Sequence, residues 1–363
     1  MSTTDKAPLE IGFMPLTDSA PLVVAKELGF FAQCGIQVNL RRQNSWATLR
    51  DKLHAGVLDA AQMLAPMPLA SRLGLGGTQR QFITPFVLSF NGNGITLSER
   101  LYQQVTSLNA MSCRAPAMPL PAESLRAVIR QRQKAGQSKL RFATVFPFSC
   151  HFYQLCDWLR SGQIVPGQDV DIQVIPPTSM VAALHEGSVD GYCVGGPWNA
   201  KAVRVGLGVT VVTSCDIWPD MPEKVLGMLQ SWQTHNPDSC QALLQALDMA
   251  CRWLALVPNR FEAARILCDE AYLHADLDVV APALLGSCLV QESVAPRYIP
   301  AYNRFASSGE TPDNCPNPGY AEWFLSHMQS SGQLQQNIAG QNIAAEVYRA
   351  DLYQGVFADK LNA

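Results

Sequence analysis

The chain has 363 residues, 48% of them apolar and 16% charged, with 27 Lys and Arg against 30 Asp and Glu for a net charge of −3. That length is enough for two domains or one bilobed unit, and the apolar content excludes a disordered chain. With no basic block to grip phosphates, direct nucleic-acid binding is excluded, and no window approaches the 18 or so uncharged apolar residues that a membrane span needs.

The start, Met1-Ser-Thr-Thr-Asp-Lys-Ala-Pro8, has no basic segment followed by an apolar core, so no secretory signal is read there. Eleven cysteines (34, 113, 150, 156, 193, 215, 240, 251, 268, 288 and 315) are scattered, odd in number and form no C-x-x-C. Such usage suits thiols packed as small hydrophobes in a reducing compartment. The expectation is a cytoplasmic protein.

Taken in order, residues 9–15 read as a short apolar strand. Ser19 and Pro21 then give a helix start, and the helix runs through 23–31 to Gly35. Strands are predicted over 36–40, 58–64, 81–90, 140–146, 170–176 and 209–213. Helices are predicted over 45–56, 122–134, 150–160 and 179–186, and Asp190–Asn199 reads as a buried strand, two glycines and a helix opening at Pro197. This alternation predicts an α/β chain of βαβ units with mostly parallel sheets. After residue 213 the pattern predicts consecutive helices over 222–234, 237–257 and 260–274, then a mixed tail with a Pro-rich stretch at 311–318. Boundaries near Asn91-Gly-Asn-Gly94 and 216–222 predict two lobes: residues 1–94 with 216–363, and residues 95–215. Ligands of open α/β sheets collect at the carboxyl ends of strands, so an interlobe ligand cleft is expected.

Five positions stand out chemically. The Gly195-Gly196 junction offers backbone N–H groups to a small anion, or is a plain tight turn. His151 falls in the first turn of a helix capped by Ser149, beside N–H groups that favour an anion, or is a packed surface histidine. Trp46 at a helix start is either core or a ligand wall. Gln62, inside an apolar strand, needs hydrogen-bond partners, structural or functional. Lys224 is read at the start of a helix, the wrong end for a cation unless an anion is near. The six histidines show no metal-ligand spacing, and no nucleotide, acyl-transfer or zinc-hydrolase motif occurs.

Six segments in order carry a family resemblance: Ile11-Gly-Phe-Met-Pro-Leu-Thr-Asp-Ser-Ala-Pro-Leu22, Ser45-Trp-Ala-Thr-Leu-Arg-Asp-Lys52, Leu58-Asp-Ala-Ala-Gln-Met-Leu64, Pro85-Phe-Val-Leu-Ser-Phe-Asn-Gly-Asn93, Asp190–Asn199 and Asp216–Gly227. Over most of its length the chain resembles the nitrate-binding proteins of the nitrate/bicarbonate ABC-transport family. The resemblance implies a type II periplasmic-binding-protein-like fold of two lobes. It also implies an anion site at Trp46, Gln62, His151, Lys224 and a backbone group near Gly195, with one fixed cation and neutral donors around a flat monoanion.

The position of Lys224 is acidic in bicarbonate-binding relatives, where it supports calcium. The resemblance therefore implies nitrate or nitrite as ligand, with no metal and no cofactor. Two departures stand out: Gly196 replaces a glutamate of the family's Gly-Glu-Pro-Trp, and Phe148-Ser149-Cys150 replaces Gly-Gly-Thr. Without an export signal the chain is similar to the cytoplasmic NasS-type nitrate/nitrite sensors, which sequester a NasT-type RNA-binding antiterminator and release it on anion binding. The alternative is the solute-binding protein of a nitrate/nitrite ABC transporter. Thiamine-precursor synthases share the broad fold, but their Cys/His-rich iron motif and pyridoxal-phosphate lysine region are not found, so no enzyme is expected.

Overall fold

The structure is a computed structural model and describes residues 7–109, 118–306, 314–335 and 342–361. Cys113 and residues 311–313 of the Pro-rich stretch lie outside the described residues. Ten strands form the frame: β1 (Leu9–Phe13), β2 (Val38–Arg42), β3 (Ala60–Leu64), β4 (Phe82–Asn91), β5 (Asn93–Ser98), β6 (Leu140–Thr144), β7 (Val170–Val174), β8 (Gly191–Gly195), β9 (Gly208–Thr213) and β10 (Pro222–Leu229). The chain divides into two units, 1–90 with 221–274 and 304–363, and 91–220 with 275–303.

In the first unit β4, β10, β3, β1 and β2 lie side by side in that order. β1 pairs in parallel with β2 and β3, as βαβ alternation requires. The helix Ala20–Glu27, with proline in its first turn, buries Leu22, Val23 and Val24 and packs on the long helix Pro237–Ala255. β3 is buried along its whole length, which explains its unbroken run Ala-Ala-Gln-Met-Leu.

β10 departs from the sequence expectation. Residues 222–234 were predicted as a helix, but Pro222–Leu229 is a strand antiparallel to both β3 and β4, followed by a short helix, Gln230–His235. β10 is buried on both faces from Pro222 to Met228, so its sequence lacks the alternation that would mark it. The sheet is accordingly mixed, not mostly parallel.

The second unit orders its strands β7-β6-β8-β5-β9. β6 is parallel to β7 and β8, while β5 is antiparallel to β8 and β9. Ile95, Leu97, Phe142, Leu155, Trp158, Val209 and Val211 belong to its core. β5 begins within the stretch predicted as a boundary. Asn91 and Gly92 have positive φ there (60° and 96°), and a Cβ on Gly92 would stand 2.6 Å from Asn303 Oδ1.

Residues 275–303 correct the predicted lobe boundaries, having been placed with the first lobe. The helix Leu277–Leu284 packs on the helix Trp198–Arg204, Arg204 meets Asp278 at 3.5 Å, and the Thr210 N–H donates to Val290 O at 2.8 Å. These contacts join residues far apart in the chain, which local pattern does not report.

The helix Cys150–Ser161, which carries His151, rests against the turn Ala122–Leu125 at Gly162, where an added Cβ would lie 2.4 Å from the Glu123 nitrogen and 2.5 Å from the Ala122 carbonyl carbon. Backbone cannot swing aside as a side chain can. Gly162→Ala is expected to destabilise the protein by about 1–3 kcal/mol, as overpacking does; urea unfolding against the unsubstituted protein measures it.

Candidate functional site

In the first unit, three predicted residues come together at the carboxyl ends of the parallel strands. Trp46 opens the helix Trp46–His54 just after β2; the Ser45 hydroxyl caps that helix by accepting from the Thr48 N–H at 3.1 Å. Gln62 lies in β3. Lys224 sits near the start of β10, in register with Leu64 of β3 and Ser89 of β4. Because β10 runs antiparallel, its beginning lies where β3 ends.

Lys224 is thus a strand residue and not at the helix start expected. Nor is it a lone cation. Its ammonium is fully buried and stands 2.8 Å from Asp18 Oδ2 and 2.7 Å from Glu223 Oε1, both carboxylates buried with it. Gln62 locks this group in place. Its Nε2 donates to Asp18 Oδ1 at 2.7 Å, and its Oε1 accepts from the Met14 N–H at 3.0 Å. Both ends of the buried amide are engaged, so its first role is to orient Asp18.

The Trp46 ring lies over the ammonium at 5.6 Å, within cation–π range. Trp46 is buried, and its indole N–H has no hydrogen-bond partner. Core tryptophans ordinarily satisfy that N–H, so an unsatisfied one marks a candidate donor.

Burial by itself pulls the Lys224 pKa down, but the charges of Asp18 and Glu223 and their hydrogen bonds more than offset it and hold it above the usual lysine value. The group is therefore an ammonium throughout the physiological range.

The second unit holds the other two predicted residues. His151 lies in the first turn of Cys150–Ser161, where the Ser149 hydroxyl accepts from the Phe152 N–H at 3.1 Å. It is fully buried, which removes the alternative of a surface histidine. Gly195 ends β8 and pairs with Asn93 of β5. Since β6 and β8 are parallel neighbours, both residues follow carboxyl ends of strands in one sheet. The glycine junction is less open than expected: Gly196 N–H donates to Gly92 O at 3.3 Å, and Pro197 has no N–H.

Sequence reasoning missed Asp18 and Glu223, as well as Thr144 and Trp198, whose buried hydroxyl and indole N–H have no partner. Glu223 adjoins Lys224 in sequence, and that charged pair inside an apolar run was the available signal. Among the described residues no group of three or more His, Cys, Asp and Glu could hold a metal, and no helix is long and apolar enough to cross a membrane.

Residues 2–268 match the NMT1-like family. The chain belongs to the NMT1-like family. Its kinship is with binding and transport proteins. It is 35% identical over 352 residues to the nitrate import ATP-binding protein NrtC of Synechocystis sp., covering 96% of this chain but 50% of that protein. The chain therefore spans about half the length of the first curated relatives it matches. It is 31% identical over 358 residues to the nitrate/nitrite binding protein NrtA of Nostoc sp., covering 95% of this chain and 75% of that one.

Among solved structures, the periplasmic nitrate-binding protein NrtA from Synechocystis PCC 6803 superposes with a TM-score of 0.88 at 27% identity, covering 98% of this chain and 91% of that one. The fold of this NMT1-like chain is thus that of the solute-binding proteins, as its resemblance implied.

A buried ammonium with two buried counter-ions fixes a stability prediction. Lys224→Met leaves both carboxylates uncompensated and is expected to cost about 3–5 kcal/mol. A raised folded pKa gives stability that is complete below the unfolded value and is lost only as pH rises through the folded one. The penalty is therefore already full at pH 7 and does not grow by pH 9, which denaturant unfolding at the two pH values checks.

Proposed function

We propose that this chain binds nitrate or nitrite, with the Lys224 ammonium and the Trp46 indole N–H as anion donors. The proposal extends to Gln62, which sets the first unit's group, and to His151 and the Gly195 backbone of the second unit. One observation carries the reading. A charged, fully buried ammonium stands under an indole whose N–H lacks an acceptor, an arrangement that suits a small oxyanion. Kinship with NrtA supports the choice of anion.

The role that kinship favours is that of the solute-binding protein of a nitrate/nitrite ABC transporter, since its relatives include NrtA and the import protein NrtC. A second reading is a cytoplasmic nitrate/nitrite sensor that holds a NasT-type antiterminator until the anion binds. The cysteine usage favours it: none of the ten described cysteines forms a disulfide, and six of them are buried as core thiols. In that reading the partner and the anion weaken each other by the same factor. Identical nitrate affinity with and without a NasT-type protein would exclude the sensor; fractionation of native cells then separates transport from cytosol.

Calorimetric titration with nitrate, nitrite and bicarbonate tests the binding itself. A four-atom ligand is limited to about −6 kcal/mol, or tens of micromolar. Lys224→Ala is expected to weaken nitrate binding by about tenfold or more, because a desolvated anion loses its counter-charge. Wild-type affinity in that variant would move the anion elsewhere.

Trp46→Phe separates the ring from its N–H. It keeps an aromatic ring and removes the donor, and should cost about 0.5–1.5 kcal/mol of nitrate binding. Unchanged binding would assign the indole to packing. His151→Gln, measured the same way, should weaken nitrate binding if the second unit takes part.

A further inference from the structure

The group around Lys224 contains more than an anion receptor requires. An ammonium meant only to receive an anion would keep its donors turned toward the ligand. Here two of its three N–H directions meet Asp18 at 2.8 Å and Glu223 at 2.7 Å. From the first unit's elements, the ionisable groups facing the ammonium are Asp18, on the turn Thr17–Ser19, and Glu223, on β10. β3 contributes Gln62 and the helix Trp46–His54 contributes Trp46, neither of which titrates; Ser89 is the register neighbour on β4. Gln62 holds Asp18 by its second oxygen, so that carboxylate cannot swing away to make room.

We propose that Asp18 and Glu223 are resident competitors for the ammonium, affinity-setting residues that hold the anion site weak and screen its ligand by charge. The inference rests on the reading that the anion binds at Lys224. An arriving oxyanion shares the ammonium with two carboxylates already within hydrogen-bond distance, and in a buried site each repels it strongly. Two consequences follow from that one geometry.

A dianion feels the repulsion twice over and is rejected more strongly than a monoanion. Neutralising either carboxylate strengthens binding. The pair thus gives selectivity for singly charged oxyanions at the expense of affinity.

The experiment measures nitrate and sulfate binding to the full chain by calorimetry at one pH, for the unsubstituted protein, Glu223→Gln, Asp18→Asn and Lys224→Ala. Glu223→Gln, nearly isosteric, is expected to bind nitrate about tenfold more tightly and to gain more for sulfate than for nitrate. Asp18→Asn should behave alike, and either variant carries the test should the other fail to fold.

Nitrate affinity unchanged or weakened in folded Glu223→Gln or Asp18→Asn, while Lys224→Ala binds weakly, overturns the proposal; the anion reading then stands and only the competition fails. Full nitrate affinity in Lys224→Ala removes both.

Discussion

A lysine ammonium buried without water is tolerated only beside counter-charge, and in this chain the counter-charge comes from two directions. Asp18 arrives from the turn after β1 and Glu223 from the residue before Lys224 on β10. Satisfying that ammonium ties the position of β10 in the sheet to the turn after β1. Gln62 extends the constraint: from β3 it holds both the Met14 backbone, 48 positions earlier, and Asp18, 44 positions earlier. The group is structural in the first place, and in the proposed function the bonds that make the burial of Lys224 tolerable also bear on what can reach it.

The antiparallel strands do comparable work in each unit. β10 enters between β3 and β4 and so places its first residues at the carboxyl ends of β1, β2 and β3. β5, between β8 and β9, brings Asn93 opposite Gly195, and the Asn93 side chain donates to Gln154 Oε1 at 2.9 Å, on the helix that carries His151. Parallel βαβ units alone would gather loops and helix starts at one edge. The returning strands add side chains from distant sequence to that edge, which is how Lys224 comes to lie beside Trp46, 178 positions earlier in the chain (224 − 46).

The chemistry of the first unit's group is a balance of opposed charges, not a single positive spot. Trp46 adds a ring that favours the cation and a buried N–H that favours an acceptor. In the proposed function such a site discriminates by charge count and shape. The NMT1-like kinship and the similarity to NrtA are consistent with this as a small-anion receptor, while the resident carboxylates give it a character that the family resemblance did not convey.

Local pattern carried much of the architecture. Most of the strand and helix alternation from residue 9 to 213 was legible because the elements there have their own period, cap or glycine stop, as with Ser45 before Trp46 and Ser149 before Cys150. Side chains were singled out where they look locally out of place: a tryptophan at a helix start, an amide in an apolar strand, a lysine at what reads as the start of a helix. Not legible were β5 and the helix Glu99–Asn109 after it, the strand character of residues 222–229, the membership of 275–303 and the pairing of Lys224 with Asp18.

For the strands and the pairing the physical reason is the same. A strand buried on both faces carries no period of its own, and an ion pair between positions 18 and 224 leaves no trace in either neighbourhood. The sequence by itself determined which elements form and which side chains are chemically out of place. Only the tertiary structure decided which of them share a site and that the ammonium arrives already bound to two carboxylates, because burial and charge pairing are properties of the packed chain.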